Sequence, residues 1–471
     1  MPMTTPGLLA YAAYLPRYRL QPEHPAPPEN RKPSARVAAS FDQDSTTLAV
    51  EAAAALLRDT PGLRTPAALY FATTSPAYLD KTNAAAVHAA LGLPTGLLAA
   101  DLAGSARSWT ATWRAAAASG GLAVCADVRT GRPGSADERG GDGAAAFLFG
   151  DGSPAIAHVL AQCSATTETL DRWRAPGEAC GSQWEERFGL DVYLPLVRST
   201  AAQALDLAGI ERADHVLLVS TNSAVVRRGT KAVTGTLSTG GSPIGHCGAA
   251  DAGLALAALL DRAGADESIL VLSATDGCDA TVLRTTDQLP VARQARPVAE
   301  QLAEGLPVAY TTYLSWRGLL DREPPRRPEP DRPAGPPSRR AAAWKFSFTG
   351  TVCAKCRFVH LPPARVCKKC GVVDAMEPRQ LAVRSGTVAT YTVDRLAYSP
   401  SPPVIEAVVD FDGGGRYTLE VADTVEEHLR VGTRVGLTFR RLFTAGGVHN
   451  YFWKAYALDE SVSAAAEEGQ A

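Results

Sequence analysis

Four cysteines in the C-terminal third of the chain have the spacing of a metal site. Cys353 and Cys356 form one Cys-x2-Cys pair, and Cys367 and Cys370 form a second pair ten residues later. Each pair can supply two thiolates from one turn, and four thiolates make the tetrahedron that Zn²⁺ accepts. Because four protein ligands leave no open coordination position, we predict a structural zinc site. A rubredoxin-like iron centre and metal-free pairs are the alternatives.

The segment AADLAGSARSW, residues 99–109, has the form of a turn that presents a nucleophile at the start of a helix, yet it contains no cysteine. Ser105 and Ser108 are the nucleophile candidates that it offers, although no histidine or acidic residue lies close to them in the sequence. Helix N-capping by these serines is the alternative. Arg107 could bind a carboxylate or a phosphate, or form an ion pair.

Apolar strand-like segments and helical segments alternate from residue 7 to residue 315, which predicts a layered α/β fold. Core helices are predicted at 46–59 and 252–264. Residues 105–128 run loop, helix, glycine-rich turn and strand, and residues 245–275 repeat that order. We therefore expect two α/β halves whose loops face one cleft. The segments predicted to be buried strands are 68–75, 122–128, 144–152, 215–222 and 268–277.

A different architecture is predicted after residue 320. Residues 321–340 hold seven prolines and six arginines, so we expect an extended linker. The two cysteine pairs lie in residues 341–375, and the alternating apolar and polar segments of residues 376–460 predict a small antiparallel barrel. Residues 461–471 are expected to be disordered.

The bulk properties disfavour several classes of protein. The formal net charge of −2 argues against general nucleic-acid binding. No apolar run approaches the ~18 residues of a membrane span, and the N-terminal segment lacks the basic region of a signal peptide. The five cysteines outside the two pairs are scattered, unlike a secreted disulfide framework, so we expect a cytoplasmic protein.

Five segments lie along residues 7–315: YLPRYRL, DQDSTTLAVEAA, DRWR, FLFGDG and SPIGHCGAADAGLALAALL. Together these segments resemble the 3-hydroxy-3-methylglutaryl-CoA synthase branch of the thiolase superfamily. Residues 341–460 resemble the zinc-ribbon and OB-fold proteins that accompany these enzymes, with RSGTVATYTV as the best marker. The implied fold class is α/β, a thiolase-like five-layer duplicated fold within residues 1–320, followed by a zinc ribbon and a small all-β OB barrel.

The same resemblance implies that acyl-transfer residues have been lost. In the family a cysteine on a helix-capping turn attacks an acyl thioester, and a glutamate and a histidine manage the protons. The family pattern puts that cysteine at Ala106, or at Ser105 with a one-residue shift, the glutamate at Thr74 and the histidine at Ser220. No cysteine, glutamate or histidine lies within two residues of these positions. We therefore expect no acyl-cysteine intermediate.

Other side chains at the implied site could act as acids, bases or nucleophiles. His246 in GHCGAAD stands where thiolases have Gly-His, which implies that it polarises a thioester carbonyl or an enolate, and a core histidine is the alternative. Cys247 could be a displaced nucleophile or a buried structural thiol. Tyr78 and Tyr193 could act as acids, as tyrosines do in some thiolase-like aldolases, or could simply pack. We predict His246, Ser105 and Tyr193 as the catalytic set.

The segment VVRRGTKAV carries three basic residues just after a strand that enters the cleft: Arg227, Arg228 and Lys231. Basic residues near this place meet the phosphates of coenzyme A in the synthases, so the resemblance implies the same role here. A solvated helix end explains them as well.

The sequence favours an enzyme that acts on coenzyme A thioesters and makes or breaks carbon–carbon bonds without an acyl-cysteine. The alternative is a catalytically degenerate subunit that scaffolds an active thiolase or synthase and helps to hold acyl-CoA. A homodimer or a hetero-oligomer with another thiolase-fold protein is expected. Nucleic-acid binding by aromatic residues of the OB barrel is a third hypothesis, which the near-neutral charge and the thiolase-like fusion disfavour. The aromatic residues concerned are Tyr391, Tyr417, Tyr451, Phe452 and Trp453.

Overall fold

The computed structural model describes residues 7–21, 36–60, 62, 65–151, 154–229, 233, 235–239, 241–323 and 326–458. The chain divides into two units. The first consists of Met1–Ala39, Asp44–Ala85 and Thr95–Tyr310, and the second of Ser40–Gln43, Ala86–Pro94 and Thr311–Ala471. Lys231 and the tail at 461–471, both subjects of predictions above, lie outside the described residues.

The strands of the first unit are, in chain order, β1 Gly7–Tyr14, β2 Tyr18–Leu20, β3 Val37–Ala38, β4 Ala68–Thr73, β5 Leu98–Ala103, β6 Leu122–Asp127, β7 Gly143–Gly150, β8 Ala157–Thr166, β9 Arg172–Trp173, β10 Ser182–Gln183, β11 Ala213–Ser220, β12 Gly235–Thr239, β13 Ser268–Ala274, β14 Gly277–Thr285 and β15 Leu306–Val308. The helices along the chain are α1 Ser45–Asp59, α2 Ala84–Ala90, α3 Ser108–Ser119, α4 Glu186–Ala208, α5 Ser223–Gly229, α6 Asp251–Leu260, α7 Val298–Ala303, α8 Tyr310–Trp316, α9 Gly335–Arg340 and α10 Ala342–Ser347.

Ten strands of the first unit form one sheet in the order β12-β11-β13-β14-β8-β1-β7-β6-β4-β5. The order is duplicated about the β8–β1 pair. In one half, β7 pairs antiparallel with both β1 and β6. Strand β4 then pairs parallel with both β6 and β5. In the other half β8, β14, β13, β11 and β12 repeat those relations in the same sequence. The predicted pair of α/β halves is confirmed.

The helices arrange these half-sheets into layers. Helices α3 and α6 share a core cluster with residues of both halves, and α6 contacts β1 and β7 as well as β11 and β13. Helix α1 contacts β1, β6 and β7, whereas α4 packs on β8, β13 and β14 around a second cluster. The resulting order is helix, half-sheet, central helices, half-sheet and helix. This arrangement is the five-layer fold that the resemblance implied.

Helix boundaries in the first unit follow local sequence signals. Asp44 caps α1 by accepting a hydrogen bond from the amide of Thr47, whose hydroxyl lies 2.9 Å from the Asp44 amide in a capping box. Helices α3 and α4 end at Gly120 and Gly209, both with φ of 67°. Glycine adopts that left-handed conformation without the steric cost that a Cβ imposes.

The second unit contains a small sheet and a barrel. Strands β16 Thr349–Cys353, β17 Val359–His360 and β18 Met376–Gln380 form the sheet, with β16 in the middle. The barrel has the order β21-β20-β19-β22-β23, and a bridge between Val421 and Ala455 links its outer strands. This is the predicted antiparallel barrel. Its strands are β19 Gly386–Asp394, β20 Val404–Phe411, β21 Arg416–Glu420, β22 Arg434–Ala445 and β23 Val448–Ala457.

The segment predicted to be an extended linker differs from that expectation in its last part, since residues 335–340 form α9. Two prolines occupy the first turn of this helix, where proline is tolerated because the amides there have no partner within the helix. None of the helices in the described ranges combines the length and apolarity that a bilayer crossing requires.

Candidate active site and metal centre

A small cavity, partly open to solvent, lies in the first unit at the carboxyl ends of the parallel strands β11 and β13. Ligands of α/β proteins commonly bind at the carboxyl ends of parallel strands. Three positions singled out in the sequence line this cavity together, namely Ala106, Ser220 and His246. The loops of the two halves therefore do meet in one cleft.

Ala106 lies in the turn between β5 and α3. Gly104 has a φ of 124°, and the carbonyl of Ser105 accepts hydrogen bonds from the amide and the hydroxyl of Ser108. These contacts fold the chain into the first turn of α3 and leave the methyl group of Ala106 at the cavity. A thiolate at that position would gain from the positive end of the helix dipole. The turn has the expected form, but alanine supplies no nucleophile.

His246 pairs with a carboxylate that the sequence analysis did not single out. Its Nδ1 lies 3.3 Å from Oδ2 of Asp251, the first residue of α6, and both residues line the cavity. The His246 side chain is 21% exposed and that of Asp251 is 6% exposed. Because Nδ1 faces Asp251, Nε2 is the ring nitrogen left for a ligand. It can donate a hydrogen bond when the ring is protonated and accept a proton when the ring is neutral.

Thr74 is held by Asp127, a fully buried carboxylate at the end of β6. The Thr74 hydroxyl lies 3.0 Å from Asp127 Oδ2 and accepts a hydrogen bond of 2.9 Å from Arg129. Asp127 also accepts a hydrogen bond of 2.6 Å from the amide of Ala249, beside the His246 turn. A Cβ on Gly248 would lie 1.9 Å from Asp127 Oδ2, so this close approach requires glycine. Thr74 is thus part of a polar frame around the cavity.

A second carboxylate, Asp137, lies near the His246 turn. Burial raises its pKa, but the hydrogen bond from Arg172 and the charges of Arg129, Arg172 and His246 outweigh burial and lower the pKa to about 2. Arg129 Nη2 lies 3.1 Å from Asp137, and Arg174, two residues beyond Arg172, donates to the carbonyl of Thr74. The arginines of the DRWR segment therefore hold the rim of the site in place.

Arg107 forms the ion pair that was one of its two sequence interpretations. Its Nε and Nη2 lie 2.9 and 3.0 Å from the two carboxylate oxygens of Asp279, and its Nη1 donates to the carbonyl of Asp276 at 2.7 Å. A bidentate pair of this kind fixes orientation as well as distance. It ties the Ala106 turn to the turn between β13 and β14.

The other predicted site residues lie outside the cavity lining. Ser105 is exposed, and its hydroxyl accepts a hydrogen bond from the amide of Arg107. Tyr193 is fully buried on α4 and lies 3.3 Å from the amide of Asp276, and burial together with the charge of Asp171 raises the pKa of its hydroxyl. Tyr78 is half-buried and precedes α2. The catalytic roles given to these residues stay predictions.

Cys247 adjoins the cavity without lining it. It is fully buried, and burial raises the pKa of its thiol well above the usual value. Of the basic residues, Arg227 and Arg228 are exposed on α5, which follows β11 directly. Arg227 pairs with Glu186 at 2.9 Å. Their role toward a coenzyme A phosphate stays a prediction, as does that of Lys231.

The four cysteines of the second unit converge as the spacing predicted. Their sulfur atoms lie within 4.8 Å of one another, with 3.6 Å between Cys353 and Cys370 and 3.5 Å between Cys356 and Cys367. Bonds of 2.3 Å in a tetrahedron require sulfur atoms roughly 3.8 Å apart, whereas a disulfide requires about 2.05 Å. The donor set therefore fits a tetrahedral thiolate site such as that of Zn²⁺.

Two matching turns build this site. The amide of Arg357 donates to the carbonyl of Cys353, and the amide of Gly371 donates to the carbonyl of Cys367. Arg357 and Gly371 have positive φ values of 60° and 69°. Each turn presents two sulfur atoms on one side, which is the arrangement that two Cys-x2-Cys pairs need for a shared ion.

We expect the purified protein to carry about one equivalent of zinc. Cys367→Ser should lose the metal and destabilise the second unit, because three thiolates bind zinc more weakly and the turns depend on the ion. The measurement is metal content by mass spectrometry together with thermal unfolding. Cys163→Ser, which alters a buried cysteine outside the cluster, is the control and should retain the metal. Iron in place of zinc, or full metal retention by Cys367→Ser, would contradict the prediction.

Asp127, Asp137, Arg129 and Asp251 are the residues that the sequence analysis missed. For Asp251 a signal was present, since GHCGAAD puts a carboxylate five residues after the histidine and at the start of a helix. The other three contact partners from distant parts of the chain. No local spacing in the sequence predicts those contacts.

Comparison with known proteins agrees with this architecture. The chain is 30% identical over 339 residues to the hydroxymethylglutaryl-CoA synthase of Archaeoglobus fulgidus, a match that covers 66% of this chain and 98% of the relative. It is also 30% identical over 347 residues to that of Methanopyrus kandleri, covering 66% of this chain and 96% of the relative.

Solved structures match over a similar share of the chain. A structure described as PksG, an HMG-CoA synthase from Bacillus subtilis, aligns with a TM-score of 0.55 at 17% identity and covers 67% of this chain and 89% of its own. An HMG-CoA synthase described as complexed with CoA aligns with a TM-score of 0.54 at 16% identity, covering 66% and 89%.

Beyond these matches, residues 380–440 match the family model of the ChsH2 C-terminal OB-fold domain. The predicted OB barrel is thereby confirmed. The similarity extends over nearly the whole length of the archaeal synthases, and the fold is the duplicated five-layer fold. The chain therefore belongs to the hydroxymethylglutaryl-CoA synthase family and carries a C-terminal OB-fold domain.

Proposed function

We propose that this protein binds an acyl-CoA thioester in the first-unit cavity and makes or breaks a carbon–carbon bond of the aldol type without an acyl-cysteine intermediate. One observation carries the proposal. His246, paired with Asp251, lines the same cavity as Ala106, while no thiol of the described residues does so. The acid–base group has been kept where the nucleophile has not.

Support for a coenzyme A thioester comes from the family. Its members are named for a coenzyme A thioester, and one structural neighbour is described as complexed with CoA. Arg227 and Arg228, exposed on α5 directly after β11, are the candidates to meet its phosphates. The acyl end would then reach the cavity at the carboxyl end of β11.

Aldol cleavage needs a base and a stabilised enolate, and it needs no covalent link to the enzyme. In that direction Nε2 of His246 accepts the proton of a C3 hydroxyl and the C2–C3 bond breaks. The electron pair of that bond forms the thioester enolate, and a carbonyl compound leaves. The protonated ring then returns the proton to C2. Asp251, whose Oδ2 lies 3.3 Å from Nδ1, orients the imidazole.

The cysteine cluster and the assembly complete the proposal. Zn²⁺ held by Cys353, Cys356, Cys367 and Cys370 would stabilise the second unit and take no part in the chemistry, because all four ligands are protein thiolates. A homodimer or a complex with a second thiolase-fold protein is the expected assembly. The scaffold function is the other candidate, favoured by the replacement of the nucleophile position by Ala106.

The test is acylation measured by intact protein mass after incubation with acyl-CoA. The wild-type protein should gain no mass, because the cavity has no thiol. Ala106→Cys should gain the acyl mass, since a thiolate at the start of α3 can displace the CoA thiol. Ser119→Cys, at the exposed C-terminal end of the same helix, is the matched control and should stay unmodified.

The outcomes separate the two functions. An acyl adduct on the wild-type protein would overturn the mechanism without a nucleophile. No acylation of Ala106→Cys, together with no turnover of 3-hydroxyacyl-CoA thioesters by the wild type, would leave the scaffold function as the better account. In that case the protein should purify with an active thiolase or synthase.

A further inference from the structure

A buried group of charged side chains lies in the second unit, outside the sites described above. Arg440 of β22 and Lys454 of β23 are on neighbouring strands of the barrel, and their side chains are 1% and 4% exposed. Asp42 lies between them, with one carboxylate oxygen 3.1 Å from Arg440 Nη1 and the other 2.9 Å from Lys454 Nζ. Residues 40–43 and both strands belong to the second unit. Charged side chains are seldom buried this deeply unless they are paired and hydrogen-bonded.

Asp42 belongs to a short turn that is distant in sequence from the barrel strands. The amide of Gln43 donates to the carbonyl of Ser40 at 3.2 Å, and the amide of Ser40 donates to Oε1 of Gln43 at 3.0 Å. The Ser40 hydroxyl donates to the Asp42 carboxylate. These bonds fix the shape of the segment Ser-Phe-Asp-Gln, residues 40–43, which we call the acidic turn. A segment whose shape is already fixed loses little conformational entropy when it binds.

The barrel contacts the main chain of the acidic turn as well as its side chains. The amide of Arg441 donates to the carbonyl of Asp42, and Nη2 of Arg441 donates to the carbonyl of Phe41, each at 2.8 Å. Nζ of Lys454 lies 5.3 Å from the centre of the Phe41 ring, which is within the range of cation–π attraction. Main-chain hydrogen bonds combined with pockets for particular side chains are a means by which proteins recognise short peptides.

The two buried cations use the acidic turn to complete their hydrogen bonding. The barrel itself offers one carboxylate to each cation, namely Asp423 to Arg440 and Glu420 to Lys454. An arginine has five N–H donors and a lysine has three. Burial raises the pKa of Asp42, but the charges of Lys454 and Arg440 outweigh burial and lower that pKa, so the carboxylate is ionised. Removal of the turn would therefore leave buried donors unmet, which costs free energy.

We propose that the β22–β23 face of the barrel is a recognition site for the acidic turn, and that this contact keeps the C-terminal part of the chain attached without the covalent linker. The partner that this face accepts is a preformed turn in which an aromatic residue is followed by an aspartate. The carboxylate supplies the charge, and the ring and the main-chain carbonyls supply the shape. Recognition of the turn does not depend on the chemistry proposed for the first unit.

The test cuts the full-length chain at one place. A specific protease site inserted after Arg322, an exposed residue, allows cleavage into residues 1–322 and 323–471. Gel filtration and analytical ultracentrifugation over a dilution series then measure the association. The cut wild-type pieces should stay together. The cut Asp42→Ala pieces should separate, with a dissociation constant raised at least about thirtyfold, because one partner of a buried hydrogen-bonded charge pair has been removed.

Two further variants show whether the acidic turn is responsible. Asp410→Ala is the matched control, because Asp410 forms a bidentate pair with Arg416 on the same barrel but both partners lie in the C-terminal piece. Its cut pieces should stay together like those of the wild type. Asp42→Asn keeps the size of the side chain and should weaken the association, since a neutral amide binds two cations less strongly than a carboxylate does.

The uncut proteins separate recognition from folding. Uncut Asp42→Ala and Asp42→Asn should elute as the wild type does, because the covalent linker keeps the turn at a high effective concentration near the barrel. If Asp42→Ala lowers the yield of folded protein, the comparison of cut Asp42→Asn with the cut wild type decides. Separation of the cut wild-type pieces, or a wild-type dissociation constant for cut Asp42→Asn, would overturn the proposal.

Discussion

His246→Ala is expected to lower the turnover of a 3-hydroxyacyl-CoA substrate by about 10²- to 10³-fold while leaving its dissociation constant within a few-fold of the wild-type value. The imidazole is the only acid–base ring that lines the described part of the cavity. Under the proposed mechanism it acts on charge that develops only as the carbon–carbon bond breaks. Loss of such a group therefore lowers kcat and leaves the dissociation constant of the substrate nearly unchanged.

The measurement is steady-state cleavage of the thioester together with calorimetric binding. His215→Ala is a matched control, because His215 is 22% exposed and pairs with Glu267 at 2.7 Å, yet it lies near the opposite end of β11. It should retain turnover. A His246→Ala protein with full turnover would remove His246 from the mechanism.

Asp251→Asn tests the positioning role within the same experiment. Asp251 contacts the ring, with its Oδ2 3.3 Å from Nδ1, so we expect kcat to fall by about tenfold with KM unchanged, and Asp251→Glu to recover part of the loss. If Asp251 had only a structural role, Asp251→Asn would lower stability without lowering kcat at an unchanged KM. The Asp251→Asn result thus distinguishes an oriented base from a packed histidine.

The sequence allowed the cysteine cluster and the general plan of the first unit to be predicted because both depend on local patterns. Two Cys-x2-Cys pairs specify a tetrahedron through their own turns. The repeat of residues 105–128 in residues 245–275 predicted two halves, and the structure duplicates the strand order about β8 and β1. Ala106, Ser220 and His246 were expected in one cleft, and they line one cavity.

The partners of these residues could not be predicted, because they come from distant segments. Arg107 pairs with Asp279, which is 172 residues away in the sequence. Thr74 contacts Asp127, which is 53 residues away. Tyr193 had the right type for an acid, but α4 buries it in the second core cluster. A residue's type can be read from the sequence, whereas its depth depends on which helix face meets the sheet.

The positions to which the sequence resemblance assigns the family's glutamate and histidine belong to the hydrogen-bonded frame. The Thr74 hydroxyl connects Asp127 to Arg129. The Ser220 hydroxyl donates a hydrogen bond to the carbonyl of Ala274 and accepts one from the amide of Asn222. Each small hydroxyl side chain thus has a partner in the protein. This is consistent with a cleft whose acyl-transfer groups were replaced together.

Asp127→Ala is expected to destabilise the first unit by about 3–5 kcal/mol, the largest stability effect that we predict. The carboxylate is fully buried and gathers three segments of chain. Its removal would leave several buried donors without an acceptor, and each unmet donor costs about 1–3 kcal/mol before relaxation. The donors are the hydroxyls of Thr73, Thr74 and Ser75 and the amides of Thr74, Ser75 and Ala249.

Urea unfolding followed by tryptophan fluorescence measures this loss, since Trp109 and Trp113 lie in the central core of the same unit. Asp127→Asn should lose less, because it keeps one acceptor oxygen, and Asp80→Ala at an exposed position should change the free energy of unfolding by under about 0.5 kcal/mol. A loss below about 1 kcal/mol for Asp127→Ala would contradict the prediction. Because Asp127 also holds the amide of Ala249, the folded fraction of Asp127→Ala should turn over substrate more slowly, which links the buried frame to the placement of His246.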